Sequence, residues 1–419
     1  MGNQQIDRDG MRDTSVQAPA LFMSAHRCIR ASGVAERISV PVDADGQGDR
    51  HFQQCLAQAF SRARARGIAN PIVIGAIPFD TRQPSELVIP RHYDIVERVA
   101  PGAELSKSAN SCVAADDPRA PLIVSARSVP DEARFQQAVR QAIGHFQLSD
   151  IRKAVLSRIL DVELTENLDV GLVFARLTAQ NPSGFHFRLP LADGSELIGA
   201  SPELLVRKDS GRIYSNPLAG SARRRADPAQ DRQAGATLLA SDKDIYEHRL
   251  VIEDIQRVLQ PLCRELDVPH YPSLLGTAAM WHLSTRIEGV LADPALSALQ
   301  LACRLHPTPA VCGFPTGLAR KLINLLEPFE RGVFAGMVGW CDAEGNGEWA
   351  VTIRCGRIHQ KRIQLFAGAG IVADSCPASE WAETEAKLQT MLNALGLALP
   401  ALEQARPPQA HDARVEVAA

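Results

Sequence analysis

Two acidic pairs stand at helical spacing. Asp244 and Glu247, and likewise Glu380 and Glu383, are three residues apart in stretches with helical periodicity, so each pair projects from one helix face. Together they could offer four carboxylates to a hard cation such as Mg2+, which takes oxygen ligands, keeps several waters and is usually held by one or two protein carboxylates plus substrate. Two solvated helix faces satisfy the same spacing, with Glu383 and Lys387 as an ordinary i,i+4 pair. Lys153 opens the apolar run Ala-Val-Leu; a lysine buried there would lose proton affinity and could act as a base, whereas a surface lysine would not. Glu203 follows Ser201-Pro202 after an apolar strand, as either a turn carboxylate or, in a dry pocket, an acid with a raised pKa.

Arg354 lies in the strand-like run Ala350-Val-Thr-Ile-Arg-Cys355, where alternation puts it on the face of Thr352. A charge there needs water or a partner, and a carboxylate that accepts both arms of its fork is one such partner. Leu365-Phe-Ala-Gly-Ala-Gly-Ile-Val372 ends a strand with two glycines, whose backbone N–H groups could approach an anion or simply allow close packing. It lacks the GxGxxG spacing of a dinucleotide site, and no GxxxxGK[ST] phosphate loop occurs. Three prolines in Leu305-His-Pro-Thr-Pro-Ala-Val-Cys-Gly-Phe-Pro315 predict a rigid loop that holds His306 and Cys312 as a pocket wall.

The elements that must position these residues are mixed. Helices are expected over Asp131 to Phe146, Asp242 to Leu262 and Glu380 to Leu395, the last with Ser379 as its cap. Strands are expected over 71–78, 153–158, Val333 to Cys341, Glu348 to Cys355 and Ile363 to Phe366, with Asp342-Ala-Glu-Gly-Asn-Gly347 as a hairpin turn. Residues 1–20 and 401–419 are polar or proline-broken and are expected to be disordered ends of a single domain over 21–400, with 105–120 the softest internal boundary.

A chain of 419 residues with net charge −3 has no electrostatic footprint for nucleic acid or an anionic membrane, so a small-molecule partner is expected. No apolar run is long enough to span a bilayer and the polar start lacks a signal-peptide core, so the expected location is cytoplasmic. Nine scattered cysteines with no CxxC pair argue against disulfides, zinc or a thiol mechanism. No unexplained apolar stripe calls for a partner subunit, and a monomer is expected.

Taken together, Lys153-Ala-Val-Leu-Ser-Arg158, Gly199-Ala-Ser-Pro-Glu-Leu204, Pro217-Leu-Ala-Gly-Ser-Ala-Arg-Arg224, Trp281-His-Leu283, the 305–315 loop, Gly339-Trp-Cys-Asp342, Thr352-Ile-Arg-Cys355 and Ala367-Gly-Ala-Gly-Ile-Val372 resemble the chorismate-utilising enzymes, most closely isochorismate synthases of the enterobactin siderophore type. The resemblance covers all but the two ends. It implies an α/β (α+β) fold with large antiparallel sheets stacked centrally and helices outside, and a Mg2+-dependent, reversible isomerisation of chorismate to isochorismate that feeds catechol siderophore synthesis.

In that reading Lys153 activates water for attack at ring C2 and Glu203 protonates the hydroxyl leaving C4. Glu247 and Glu383 hold Mg2+, with Asp244 and Glu380 in support through water. Arg354 and the backbone at Gly368 to Gly370 hold the pyruvyl carboxylate, and Gly220, Ser221, His306, Phe334 and Lys387 complete the pocket. Ala219 disfavours an aminodeoxychorismate synthase, and Lys153 disfavours an anthranilate synthase. Phe334 stands where salicylate synthases usually carry tyrosine. A salicylate synthase, a menaquinone-supplying enzyme and a silent chorismate-binding protein are the alternatives.

Overall fold

The computed structural model describes residues 19–43, 48–98 and 122–398. Most of the expected N-terminal segment, the tail at 401–419 and the soft boundary at 105–120 lie outside them, while Ala20 already belongs to a strand.

Antiparallel pairs link seventeen strands into one strip. From one end it runs through Cys263–Asp267, Ile287–Leu291, Arg212–Asn216, Leu204–Asp209, Gly347–Val351, Met337–Asp342, Ile72–Ile77 and Glu86–Glu97. It continues through Arg27–Ile38, Ala20–Met23, Phe185–Pro190, Glu196–Ser201, Cys355–His359, Arg362–Ile371 and Lys153–Leu164 to Ile123–Val129. The short strand Gly313–Phe314 also pairs with Lys153–Leu164. A second sheet of three strands, Leu218–Arg223, Met280–Ser284 and Ser273–Gly276, is absent from the sequence reading.

The strip crosses between its halves twice in neighbouring places. Glu196–Ser201 passes through Pro202 and Glu203 into Leu204–Asp209, and Gly347–Val351 passes through 352–354 into Cys355–His359. The two crossings are tied together: Ala200 N donates to Arg354 O at 3.1 Å and Val351 N to Glu203 O at 3.2 Å. This corrects the expected single strand over Glu348 to Cys355. Arg354 is not in a strand on the face of Thr352; its φ is +51°, a left-handed conformation that costs a bulky residue free energy and is found where surrounding structure imposes it.

The expected hairpin forms, with Cys341 opposite Gly347, Gly345 at φ +83°, and Asp342 Oδ1 accepting from Glu344 and Asn346 N–H. Its first strand starts at Met337 rather than Val333, because Gly332 and Ala335 have positive φ in the preceding turn. Asp131 caps the helix Glu132–Leu148. Asp242–Leu259 is α-helical and Gln260–Leu262 is a 3-10 turn. The last helix is Pro377–Leu395, and Ser379 lies inside it; Pro377, with φ already set for a helix, starts it two residues before the expected cap. Two apolar cores flank the strip. The larger packs the helices Arg50–Ala65 and Ala298–Leu305 on strands around Trp340 and Trp349, and the smaller packs Val170–Gln180 and the last helix on Arg362–Ile371.

Candidate active site

A cleft lies between the two crossings, the glycine strand and the two acidic helices. Glu203, Gly220, Ser221, Glu247, Phe334, Arg354, Gly368, Gly370, Glu383 and Lys387 all line it, so ten of the expected residues converge. Lys153 sits just beneath, fully buried, with Nζ 2.9 Å from Glu247 Oε1 but with no hydrogen bond of good geometry. Asp244 and Glu380 stand outside the lining: Asp244 accepts from Ser241 Oγ at 2.5 Å and Glu380 from Lys243 Nζ at 2.8 Å. Lys243 escaped the sequence reading, because a lysine beside acidic residues on a helix reads as surface.

His306 is a correction. Expected to complete the pocket, it points away from the cleft, buried at the end of Ala298–Leu305 with Nε2 3.1 Å from Phe79 O, and burial lowers its pKa to about 4. The loop is still a wall, through Ala310 and Val311. Burial pushes the Cys312 thiol up to about 12, which leaves it inert as a nucleophile.

The glycine strand is built for close approach. Gly368 pairs with Ser157 and Gly370 with Val155, whose own N–H groups turn away to Glu327 and to Cys312 O. By antiparallel parity both glycines direct their backbone N–H and C=O to the opposite edge, where Lys387 Nζ takes Gly368 O at 2.9 Å. A Cβ on residue 370 would lie 2.1 Å from Glu247 Oε1 and 3.1 Å from Lys153 Cε. Gly220, at φ +79°, brings Ser221 beside the helix that carries Asp244 and Glu247.

Electrostatics differ sharply among the carboxyls. Burial raises Glu203 to about 7, against the Leu218 N–H it accepts and the charges of Lys153, Arg354 and Lys387. Burial also pushes Glu383 upward, but Lys387, 2.5 Å away, with Lys243 overcomes this and holds it low. Ser221 Oγ stands beside Glu383 and helps hold it down, yet makes no hydrogen bond of good geometry. Asp244 is raised by burial and then by Glu247 and Glu383, and Glu380 by burial and then by Glu383, so the four acids feel one another as a cluster.

Among the described residues Arg354 has no ion pair; its guanidinium meets only His282 Nε2, at 3.5 Å, and burial lowers its pKa to about 10. His282, of the Trp281-His-Leu283 motif but given no site role from the sequence, also lines the cleft and is held neutral by burial and by Arg354. Phe334 stacks on Phe366 at 5.0 Å to form an apolar wall.

Among the described residues no three of His, Cys, Asp and Glu form a ready-made metal cage. Two oxygen donors in the cleft, Glu247 and Glu383, suit Mg2+ nonetheless, since it is commonly held by one or two carboxylates and completed by substrate and water. The orphaned Ser221 Oγ and the space kept open at Gly370 also fit such an ion.

A family model described as "Chorismate binding enzyme" matches residues 86–396. The chain belongs to this family of chorismate-binding enzymes. Its relatives include the isochorismate synthase EntC of Escherichia coli strain K12, 47% identical over 376 residues, 90% of this chain and 94% of the relative. Among solved structures, the putative 2,3-dihydroxybenzoate-specific isochorismate synthase DhbC from Bacillus anthracis matches with a TM-score of 0.82 and 40% identity over 90% of this chain and 96% of its own. The menaquinone-specific isochorismate synthase MenF from Escherichia coli matches with a TM-score of 0.73 and 25% identity over 91% and 90%. This chorismate-binding enzyme therefore has the expected mixed α/β fold with large antiparallel sheets. No helix among its described residues is long and apolar enough to cross a membrane.

Proposed function

We propose that this chorismate-binding enzyme is an isochorismate synthase, with residues 21–400 acting as one Mg2+-dependent catalytic unit that supplies isochorismate for catechol siderophore synthesis. One observation supports the reading best: a carboxyl raised to about 7, Glu203, shares a cleft with Arg354, which has no ion pair among the described residues, and Lys153 lies buried just beneath that cleft against Glu247. Exchanging a hydroxyl across a ring needs a base on one side and an acid on the other, and a carboxyl near neutrality is fitted to donate its proton at working pH.

Chorismate carries two carboxylates. Arg354, held in the cleft by the paired crossings and without an ion pair among the described residues, would take the pyruvyl carboxylate with the backbone N–H groups of Gly368 and Gly370. Glu247 and Glu383 would hold Mg2+, with Asp244 and Glu380 in support; when bound, the ion supplies a fixed positive charge for the ring carboxylate. Lys153 takes a proton from the water that adds at C2, and Glu203 gives its proton to the hydroxyl that leaves C4, so the ring loses one hydroxyl and gains another. Lys387 holds Glu383 and Gly368 in place. Phe334, which lines the cleft backed by Phe366, offers no hydroxyl to the ring, which favours release of isochorismate over pyruvate elimination. Incubation with chorismate and Mg2+, followed by product analysis, tests the reading: isochorismate is expected, and salicylate with pyruvate contradicts it.

A further inference from the structure

The cleft has a buried support that touches neither the acid, the base nor the carboxylate cluster. Arg331 and Glu327 are almost wholly buried and paired, with Nε 2.9 Å from Glu327 Oε2 and Nη2 2.6 Å from Oε1. The same guanidinium donates to Val311 O at 2.8 Å and to Val155 O at 2.7 Å. Glu327 Oε1 in turn accepts from Ser157 N–H at 2.7 Å. Arg331 also lies over the Phe79 ring at 4.4 Å and 6.0 Å from that of Phe334. Val155, Ser157, Val311 and Phe334 all line the cleft, whereas Arg331 and Glu327 do not.

Three separate walls therefore meet on one ion pair: the proline loop, the aromatic wall, and the strand on which Lys153 shares a face with Val155 and Ser157. A buried pair with its lone pairs and N–H groups satisfied by backbone is a weak source of net stability, but it fixes geometry, because the planar fork accepts few arrangements. We propose that Arg331, acting with Glu327, is a positioning residue for the isomerisation, setting the place of Lys153 against the loop wall. The proposal rests on the isochorismate synthase reading above.

The test uses Arg331→Lys, Arg331→Ala and Glu327→Gln in the full chain, assayed with chorismate and Mg2+ beside the wild type and checked for fold by circular dichroism. Displacing a catalytic group by a fraction of an ångström leaves binding largely intact and slows chemistry, so kcat should fall by about 10- to 100-fold with KM within about threefold. Arg331 also lines a surface cavity with Phe79 and Glu327, through which a small cation could enter. Methylguanidinium should therefore restore kcat to Arg331→Ala, and methylammonium should not. Wild-type kcat in folded Arg331→Lys and Glu327→Gln overturns the proposal, as does a folded Arg331→Ala that methylguanidinium leaves unrestored. Should Arg331→Ala not fold, the two conservative variants decide. A wild type that makes no isochorismate would instead overturn the functional reading.

Discussion

Lys153 Nζ and Glu247 Oε1 lie 2.9 Å apart in space that exists because residue 370 has no side chain. A strand, a helix and a second strand meet at this contact, and a methyl group at 370 would overlap Glu247 Oε1 at 2.1 Å and crowd Lys153 Cε at 3.1 Å. Gly370→Ala should leave the fold intact, since Ala is a better strand residue than Gly, yet cut kcat/KM by about 100-fold or more. Circular dichroism alongside steady-state assays checks both halves; unimpaired turnover would mean that the Lys153–Glu247 contact is not needed.

Glu203 links pH to activity and to stability. The proposed acid role requires the protonated form, so kcat/KM should fall as pH rises through about 7, and Glu203→Gln should lose about 100- to 10,000-fold below pH 7, a loss that narrows at higher pH because the variant lacks this titration. Its folded pKa lies above the ordinary value of 4.5, so the native state binds the proton more tightly than the unfolded chain does. Stability from this group is complete below pH 4.5 and is lost as pH rises to about 7, by up to about 3 kcal/mol. Thermal unfolding of Glu203→Gln relative to wild type should therefore improve from pH 5 to pH 8, and a constant difference would count against a buried, raised carboxyl.

The periodic parts of this site were legible in the sequence and the irregular parts were not. Asp244, Glu247, Glu380 and Glu383 fall on helix faces by spacing, and Gly368 and Gly370 point to a close approach because a glycine in an apolar strand gives up side-chain packing. Alternation sees only neighbours and so puts Arg354 in a strand; its left-handed φ comes from hydrogen bonds to a crossing about 150 residues earlier in the chain. His306 was drawn into the pocket by the loop it begins, although one bond to Phe79 O turns it away. Lys243 carries no local signal and His282 stands in the quoted Trp281-His-Leu283 motif without a site role, since what defines each is a partner distant in sequence, Glu380 and Arg354 respectively.

Arg354 should resist conservative replacement. Lysine keeps the charge but loses the fork, so Arg354→Lys should raise KM for chorismate and lower kcat/KM by about 10- to 1,000-fold. The left-handed backbone at this position adds a cost that lysine shares, so thermal unfolding should change little between the two. Equal KM values would remove Arg354 from carboxylate binding.

The proposed Mg2+ dependence would rest on two carboxylates that already face lysines. Glu247→Gln and Glu383→Gln should each weaken Mg2+ activation by tenfold or more, read as the Mg2+ concentration giving half-maximal rate, because each removes one of few protein oxygens available to the ion. Unchanged Mg2+ activation in both variants would place the ion elsewhere.

The most direct measurement is product analysis of purified protein incubated with chorismate and Mg2+, with and without EDTA and with no lyase added. A product isomeric with chorismate, formed with Mg2+ and absent with EDTA, is the predicted result. Salicylate and pyruvate, or no conversion while Lys153→Ala and Glu203→Gln behave as wild type, would contradict it.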